Sequence, residues 1–444
     1  ADTKRRDGAG DRVVLEGLSL EEAGLFLSRK GGAGGGTSSL SKRRLLPLYL
    51  EQIHALGAGD LSDDSLPTRM ADAVAQRVER VDVRALRVLQ AVAVFGGSCR
   101  SQDLAAIVEP GDLAGIEELA RSGLVRLSQG LIEVSHPFIA ELVEAFIPAE
   151  ARKQLHAKVL EIVTDNGAPL EVRGEHAYRA GETMRTLVIL ERMGDEAYQR
   201  GDLHASVQAL RRALELTRRE MLESGDPLLE SAILSFSRKL AQAMARTGEL
   251  AGADGVVREV LDLTGPYDVS RSKLYLVLGD VAVRRQRTRD AMRHYGKALE
   301  IVVGEDKQVE AHIQRSLGRA RREEGDPRGA ANALRRALEL HDELKTEAID
   351  TARVAVELAS VLLEADERDE LLERLADAKK RSEEAHAAAL VAETLGLAGR
   401  LAELEGRASD ALQRYAEASQ RSAEAGDTTR HLRWRDAAGV PALL

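Results

Sequence analysis

From about residue 170 to 420 one phrase keeps returning, and it constrains the fold of this chain more than any other feature. It starts on a small residue, often Gly, with Ala or an aromatic three positions on and a turn near +7. A small or apolar residue follows near +12, a bulky one at +16 and usually Ala at +19. Gly194 leads Ala197, Gly201, Ser206, Leu210 and Ala213, and Ala241 leads Met244, Gly248, Ala253, Val257 and Val260. The cleanest unit runs from Gly279 through Ala282, Gln286, Ala291, Tyr295 and Ala298. Gly318, Ala359 and Gly399 begin three more, with Leu334, Leu375 and Tyr415 at +16, and a degenerate unit begins at Gly174 with Ala177, Gly181 and Leu190. Two antiparallel helices pack closely only where small residues sit at the crossing and a larger one fills the gap beside it. One such hairpin cannot bury its face alone, so several must stack.

This phrase resembles the tetratricopeptide repeat. The starts are 47, 38, 39, 41 and 40 residues apart, longer than the family's 34, and the proline that often ends a unit is missing, which implies lengthened helices. We expect a mainly α chain: a small winged-helix domain, then an α-α superhelical solenoid of about seven hairpins over residues 165–425 and a capping segment over 426–444. Composition agrees. Aromatic residues make up 3% of the chain, and Ala, Leu, Arg and Glu favour helix at nearly every position.

Ahead of the repeats, Arg12 to Leu27 reads as strand, turn and helix, with Ser19 and Glu22 at capping-box spacing. Residues 29–42 carry five glycines, three serines and a threonine, which predicts a flexible loop. From Pro67 to Pro148 apolar spacing predicts helices at Thr68–Val81, Val83–Phe95, Ser101–Val108 and Leu113–Ser122. LVRLS and LIEVS then flank a turn at Gln129-Gly130, and a helix follows from Pro137. That order describes a winged helix whose wing is the β-hairpin. Leu46-Pro47-Leu48-Tyr49-Leu50-Glu51, MADAVAQRVERV, RALRVLQAVAVFG, IEELARSGLVRL and VSHPFIAELVEAFIP resemble successive pieces of the STAND class of signalling ATPases. The resemblance implies the end of a nucleotide-binding domain over 1–30, the loop over 31–44, a helical lid over 45–80 and a winged helix over 81–160. It also implies that His136 touches nucleotide phosphates, the alternative being a histidine that caps the helix from Pro137. Leu45-Leu46 stands where that family has Gly-Asn, which weakens any lid contact with nucleotide.

No Gly-x-x-x-x-Gly-Lys-Ser/Thr phosphate loop occurs, and the glycines at 31–36 lead into Thr37-Ser38 with no strand before them. The chain therefore reads as starting partway through a longer regulator, or as descending from one that lost its ATPase half. Any ATP or ADP would need an upstream domain, and no cofactor is expected here. The ten histidines show no His-x-x-x-His pair, Cys99 has no cysteine partner, and no Gly-x-Ser-x-Gly elbow exists, so neither metal ligands nor catalytic residues are assigned. A net charge of −10 and the absence of a long apolar run disfavour nucleic-acid coating and membrane insertion, and point to a cytoplasmic protein. The would-be recognition helix sets Asp112, Glu117 and Glu118 against Arg121, the wrong balance for DNA.

The expected function is therefore a regulatory interaction module that binds a protein or peptide partner, or an inducer, and self-association is compatible with the fold. The first helix of each hairpin should line the concave face. His312, Arg315, Arg319 and Arg322 recur at intervals of 3, 4 and 3 and so share one helix face, and register adds Arg238, Lys273 and Arg353. Such a stripe would clamp an acidic partner, since arginine binds carboxylates in forked pairs. The competing expectation is a solvated face balanced by Glu323 and Glu324. A DNA-contacting regulator and a working ATPase switch are the alternative functions.

Overall fold

A computed structural model describes residues 18, 19, 22, 25, 26, 47–55, 70–265 and 268–439. Most of the predicted first strand, turn and helix, the Gly/Ser loop and Leu45-Leu46 lie outside them. Ser19 and Glu22 do form the reciprocal cap: Ser19 N–H donates to Glu22 Oε2 at 2.9 Å, and Glu22 N–H to Ser19 Oγ at 3.4 Å. The chain divides into two compact units, Ala1–Ile189 and Leu190–Leu444.

The first unit contains α1 (Pro47–Ala55), α2 (Met70–Glu79), α3 (Val83–Val94), β1 (Ser98–Arg100), α4 (Ser101–Ala105), a 3-10 turn at Asp112–Ala114, α5 (Gly115–Arg121), β2 (Val125–Ser128), β3 (Leu131–Val134), α6 (Pro137–Phe146), α7 (Ala149–Asp165) and α8 (Leu170–Ala180). The hairpin turns where the sequence places it, at Gln129 (φ 47°) and Gly130 (φ 82°). Sequence reasoning missed β1, a three-residue strand that completes an antiparallel sheet of order β1-β3-β2. The core joins Val88, Leu89 and Val92 of α3 to Ile132 of the sheet and Ile139 and Val143 of α6.

The boundary falls within α9 (Thr183–Arg200), and the second unit continues through α10 (Leu203–Ser224), α11 (Leu228–Thr247), α12 (Leu250–Leu261), α13 (Val269–Arg284), α14 (Thr288–Val302), α15 (Lys307–Glu323), α16 (Pro327–Leu344), α17 (Ala348–Ala365), α18 (Arg368–Glu384), α19 (Ala388–Leu404), α20 (Ala408–Glu424) and α21 (Thr428–Ala437). The fold is mainly α, and these helices form the superhelical, tetratricopeptide-like arrangement expected from the phrase.

Each part of the phrase has a physical role. A side chain added at Gly194, Gly318 or Gly399 would come within 2.7, 2.8 and 2.7 Å of Leu210, Leu334 and Tyr415, the residues at +16. At Gly279 it would enter the ring of Tyr295. The +7 residues Gly201, Gly248, Gln286, Gly325, Asp366 and Gly406 all have positive φ and reverse the chain between paired helices. Only glycine adopts that conformation without cost, so Gln286 and Asp366 are local strain carried by the fold. Trp434 of α21 ends the array, stacked 5.9 Å from Tyr415 and filling the space above Gly396.

Candidate functional site

In α11, α13, α15 and α17 the residues one and five positions past the start of each phrase are Gln242 and Arg246, Asp280 and Arg284, Arg319 and Glu323, and Ser360 and Glu364. A four-residue step is about one helical turn, so each pair shares a face with its counterparts on neighbouring helices. Several of these side chains meet in a pocket of about 450 Å³, together with Tyr198, Tyr295, His312 and Ser316.

Asp280 forms the floor and accepts a hydrogen bond of 2.7 Å from the Tyr295 hydroxyl. Burial raises the Asp280 pKa, against the opposing pull of Tyr295, His312, Arg284 and Arg319. Burial and the charge of Asp280 likewise push the Tyr295 phenol upward, so it stays a donor. His312 is exposed at the pocket, yet the protein packed around it desolvates the ring and lowers its pKa despite Asp280. At the rim, Arg246 lies over the Tyr198 ring at 4.6 Å, and Arg284 is exposed. Neither arginine makes an ion pair among the described residues.

The predicted arginine stripe does lie on one helix face, but its guanidinium groups already hold carboxylates. Arg315 grips Glu357 with a fork, Nε to Oε2 at 3.0 Å and Nη2 to Oε1 at 2.6 Å. Arg319 bonds the same carboxylate, with Nε 3.2 Å from Oε2. Arg322 binds Glu364 at 2.9 Å and the Ser360 hydroxyl at 3.0 Å. All three bind acids of α17, one hairpin on. The expected balancing acids lie elsewhere, Glu323 in the pocket wall and Glu324 on Arg289 at 2.6 Å. Burial would raise the Glu357 pKa, but the bonds and charges of Arg315 and Arg319 outweigh it and hold that carboxyl below its usual range. Arg353 pairs within its own helix with Asp350 at 3.2 Å. Arg238 donates to Gln242 at 3.1 Å, and Lys273 lies 3.6 Å from Asp306.

In the first unit His136 caps α6: its Nδ1 accepts the Phe138 N–H at 3.1 Å, which is the structural role weighed against nucleotide contact. Two of the three acids of the would-be recognition helix meet protein, while Glu117 is exposed. Asp112 is buried beside Arg87 at 3.4 Å, Glu118 accepts the Asp82 N–H at 3.0 Å, and Gly115 lies directly on Ala85. Sequence reasoning missed a buried histidine pair, His156 and His176, whose Nδ1 atoms are 3.0 Å apart, with Glu144 3.3 Å from His156 Nε2. Burial, His156 and Arg179 push His176 down to about 4, and burial lowers His156 as well. The two residues are 20 apart on different helices, so no spacing rule joins them. Burial and Asp103 push the Cys99 thiol up to about 12, which leaves it protonated and unreactive. Among the described residues, no group of three or more His, Cys, Asp and Glu could hold a metal ion, and no helix is long and apolar enough to cross a membrane.

Residues 270–343 match the tetratricopeptide repeat family. A search of curated proteins finds no match. Among solved structures, the chain is similar to a signal transduction ATPase with numerous domains (STAND) that carries a tetratricopeptide repeat sensor, from Pyrococcus horikoshii. The identity is 14% and the TM-score 0.51, over 96% of this chain and 63% of that one. This chain thus spans less than two thirds of that protein's length. BtubC from P. vanneervenii matches with 20% identity and a TM-score of 0.44, over 50% of this chain and 92% of its own. A Rap protein complexed with competence and sporulation factor matches with 12% identity and a TM-score of 0.41, over 83% and 97%. The repeats that carry Asp280, Arg284, Tyr295 and Arg319 are of the tetratricopeptide type.

Proposed function

We propose that this chain is a non-catalytic regulatory module of a bacterial-type signalling protein, which holds a protein or peptide partner in the groove of its repeats. The observation that carries this reading is the 450 Å³ pocket with Arg246 and Arg284 at its rim, both free of carboxylates among the described residues. An acidic side chain or C-terminus entering there gains two guanidinium partners without displacing an internal one, while Asp280, Tyr295 and His312 offer neutral and polar contacts below. The stripe at His312, Arg315, Arg319 and Arg322, flanked by Arg238, Lys273 and Arg353, then shapes the groove wall, and the open arginines take the charge.

In this reading residues 45–80 are a lid and 81–160 a winged helix, which passes the partner-bound state to an output or ATPase part in the cytoplasm. Fluorescence anisotropy with a labelled peptide ending in Glu-Glu tests it. Arg246→Gln with Arg284→Gln should weaken binding at least tenfold while the circular dichroism stays unchanged. Equal binding by wild type and variant would refute the groove reading. A second reading, part of a STAND ATPase switch, draws support from the likeness to the archaeal protein along 96% of the chain. It requires this chain to respond to nucleotide through His136, and ADP shifting partner affinity equally in wild type and His136→Ala, or in neither, would remove that support.

A further inference from the structure

Arg238 and Lys273, which sequence register assigns to one side of the groove, meet at a second and smaller cavity of about 180 Å³ between α11 and α13. Its walls also carry the hydroxyls of Ser231, Ser235 and Ser270. That volume is below the ~300 Å³ typical of the smallest drug-sized ligand sites, so it suits a compact group.

The two cations at this cavity are loosely held. Arg238 is half-buried, and its one hydrogen-bond partner among the described residues is the neutral side chain of Gln242. The nearest acids, Glu191 and Asp195, are both taken by Lys239, at 2.8 and 2.6 Å. Lys273 has only a 3.6 Å contact to Asp306 Oδ2, while the other oxygen of that carboxylate, Oδ1, accepts the N–H groups of Gln308 and Val309 at 3.1 Å each. Two cations therefore line the cavity without a close ion pair: Arg238 shares the charges of Glu191 and Asp195 with Lys239, and Lys273 meets Asp306 only at 3.6 Å. Water would satisfy their hydrogen bonds, but a partly desolvated guanidinium whose nearest carboxylates are shared with Lys239 gains more from an anion that reaches it directly.

The donors also have a shape. The Arg238 fork and the Lys273 ammonium are joined by the hydroxyls of Ser235 and Ser270, which make no hydrogen bond among the described residues. Ser231 Oγ donates to Leu228 O at 2.9 Å, so a ligand in the cavity can use it only as an acceptor. The helix N-terminus is not what makes this site, because the Asp268 carboxylate already takes the Ser270 N–H at 2.7 Å. A carboxylate presents two oxygens in one plane. A phosphate group presents three terminal oxygens in different directions, carries a second negative charge and, when monoprotonated, offers an O–H to Ser231. We infer that this cavity is an oxyanion site for a phosphate group, either orthophosphate or the phosphorylated side chain of a docked partner.

The second source rests on the groove reading above, and the geometry accommodates it. Arg238, Gln242 and Arg246 occupy successive turns of α11, so the cavity and the open arginine pair are about 12 Å apart along the helix. An extended peptide covers that in about four residues.

The test is calorimetric titration of the full chain, at constant ionic strength, with sodium orthophosphate, with O-phosphoserine and with acetate. Orthophosphate should bind saturably, sulfate should compete and acetate should not. Arg238→Met, Lys273→Met and Ser270→Asp should each weaken phosphate at least tenfold. Lys273→Met and Ser270→Asp decide the matter if loss of the half-buried Arg238 unfolds the array. Tighter binding of O-phosphoserine than of orthophosphate assigns the site to a phosphorylated side chain, and equal binding assigns it to the free anion. Acetate binding as tightly as phosphate, or phosphate affinity unchanged in the variants, would overturn the inference. Phosphate binding retained in Arg246→Gln with Arg284→Gln separates this site from the groove proposal.

Discussion

The stretch of the array built on α15 and α17 and the stretch built on α11 and α13 present similar numbers of cations at similar register, yet they differ in what those cations hold. In the first, Arg315, Arg319 and Arg322 all grip carboxylates of the next hairpin. In the second, Arg246 and Arg284 form no ion pair among the described residues, Arg238 donates to the neutral Gln242, and Lys273 reaches Asp306 only at 3.6 Å. An arginine that already has a half-buried partner is part of the scaffold, and one without a partner is available to a ligand. Periodicity alone reports the face and not the availability.

Five substitutions would break or sharpen this contrast. The largest effect is expected from Gly279→Ala, whose added methyl enters the Tyr295 ring and must displace it from Asp280. Urea denaturation should show a loss of about 3 kcal/mol, typical of overpacking at a tight crossing. An unchanged midpoint would mean that the open stretch is loosely packed. Next, Glu357→Gln should cost about 2 kcal/mol, because Arg315 would be left half-buried without its partner. Arg284→Gln should stay within about 0.5 kcal/mol. Equal losses in these two variants would erase the distinction between scaffold and available arginines.

The third effect concerns the sign of the pH dependence. The Glu357 pKa is depressed in the fold, so its contribution is present above the unfolded value and is lost as pH falls through the folded one. The Asp280 pKa is raised, so the folded state holds its proton longer, and stability declines as pH rises from the unfolded value through the folded one. At neutral pH, Asp280→Asn should therefore be neutral or stabilising while Glu357→Gln destabilises, and chemical denaturation from pH 3 to pH 7 would show opposite changes of slope. The smallest effect, about 0.5 kcal/mol, is expected for Arg322→Ala, whose pair with Glu364 is well exposed on both sides. It should fade in high salt, which thermal melts at two ionic strengths would report.

The repeat architecture was legible because each position of the phrase answers to one local demand: a small residue at +0 for the bulky one at +16, and a left-handed turn at +7. These are contacts within one hairpin, at fixed sequence distance. The Arg315–Glu357 pair was not legible, since its members are 42 residues apart and meet only through the stacking offset between hairpins. Strand β1 was missed because Ser-Cys-Arg is too short to show alternation, and its pairing with β3 depends on residues more than 30 positions away. Arg246 and Arg284 escaped notice for a related reason. What marks them is that no carboxylate closes an ion pair with them among the described residues, although Asp280 and Glu323 line the same pocket, and a single sequence does not show which carboxylates come within reach.

The joint carboxylate of Glu357, shared by two arginines of the preceding hairpin, has a mechanical consequence. It works as a rivet across the seam between α15 and α17, while the seam between α11 and α13 has no such fastening among the described residues. Under tension, or in the brief openings sampled by amide hydrogen exchange, an array riveted at one seam and plain at another yields first at the plain one. The α11–α13 seam would then be both the recognition surface and the compliant joint, and an anion lodged between Arg238 and Lys273 would stiffen it.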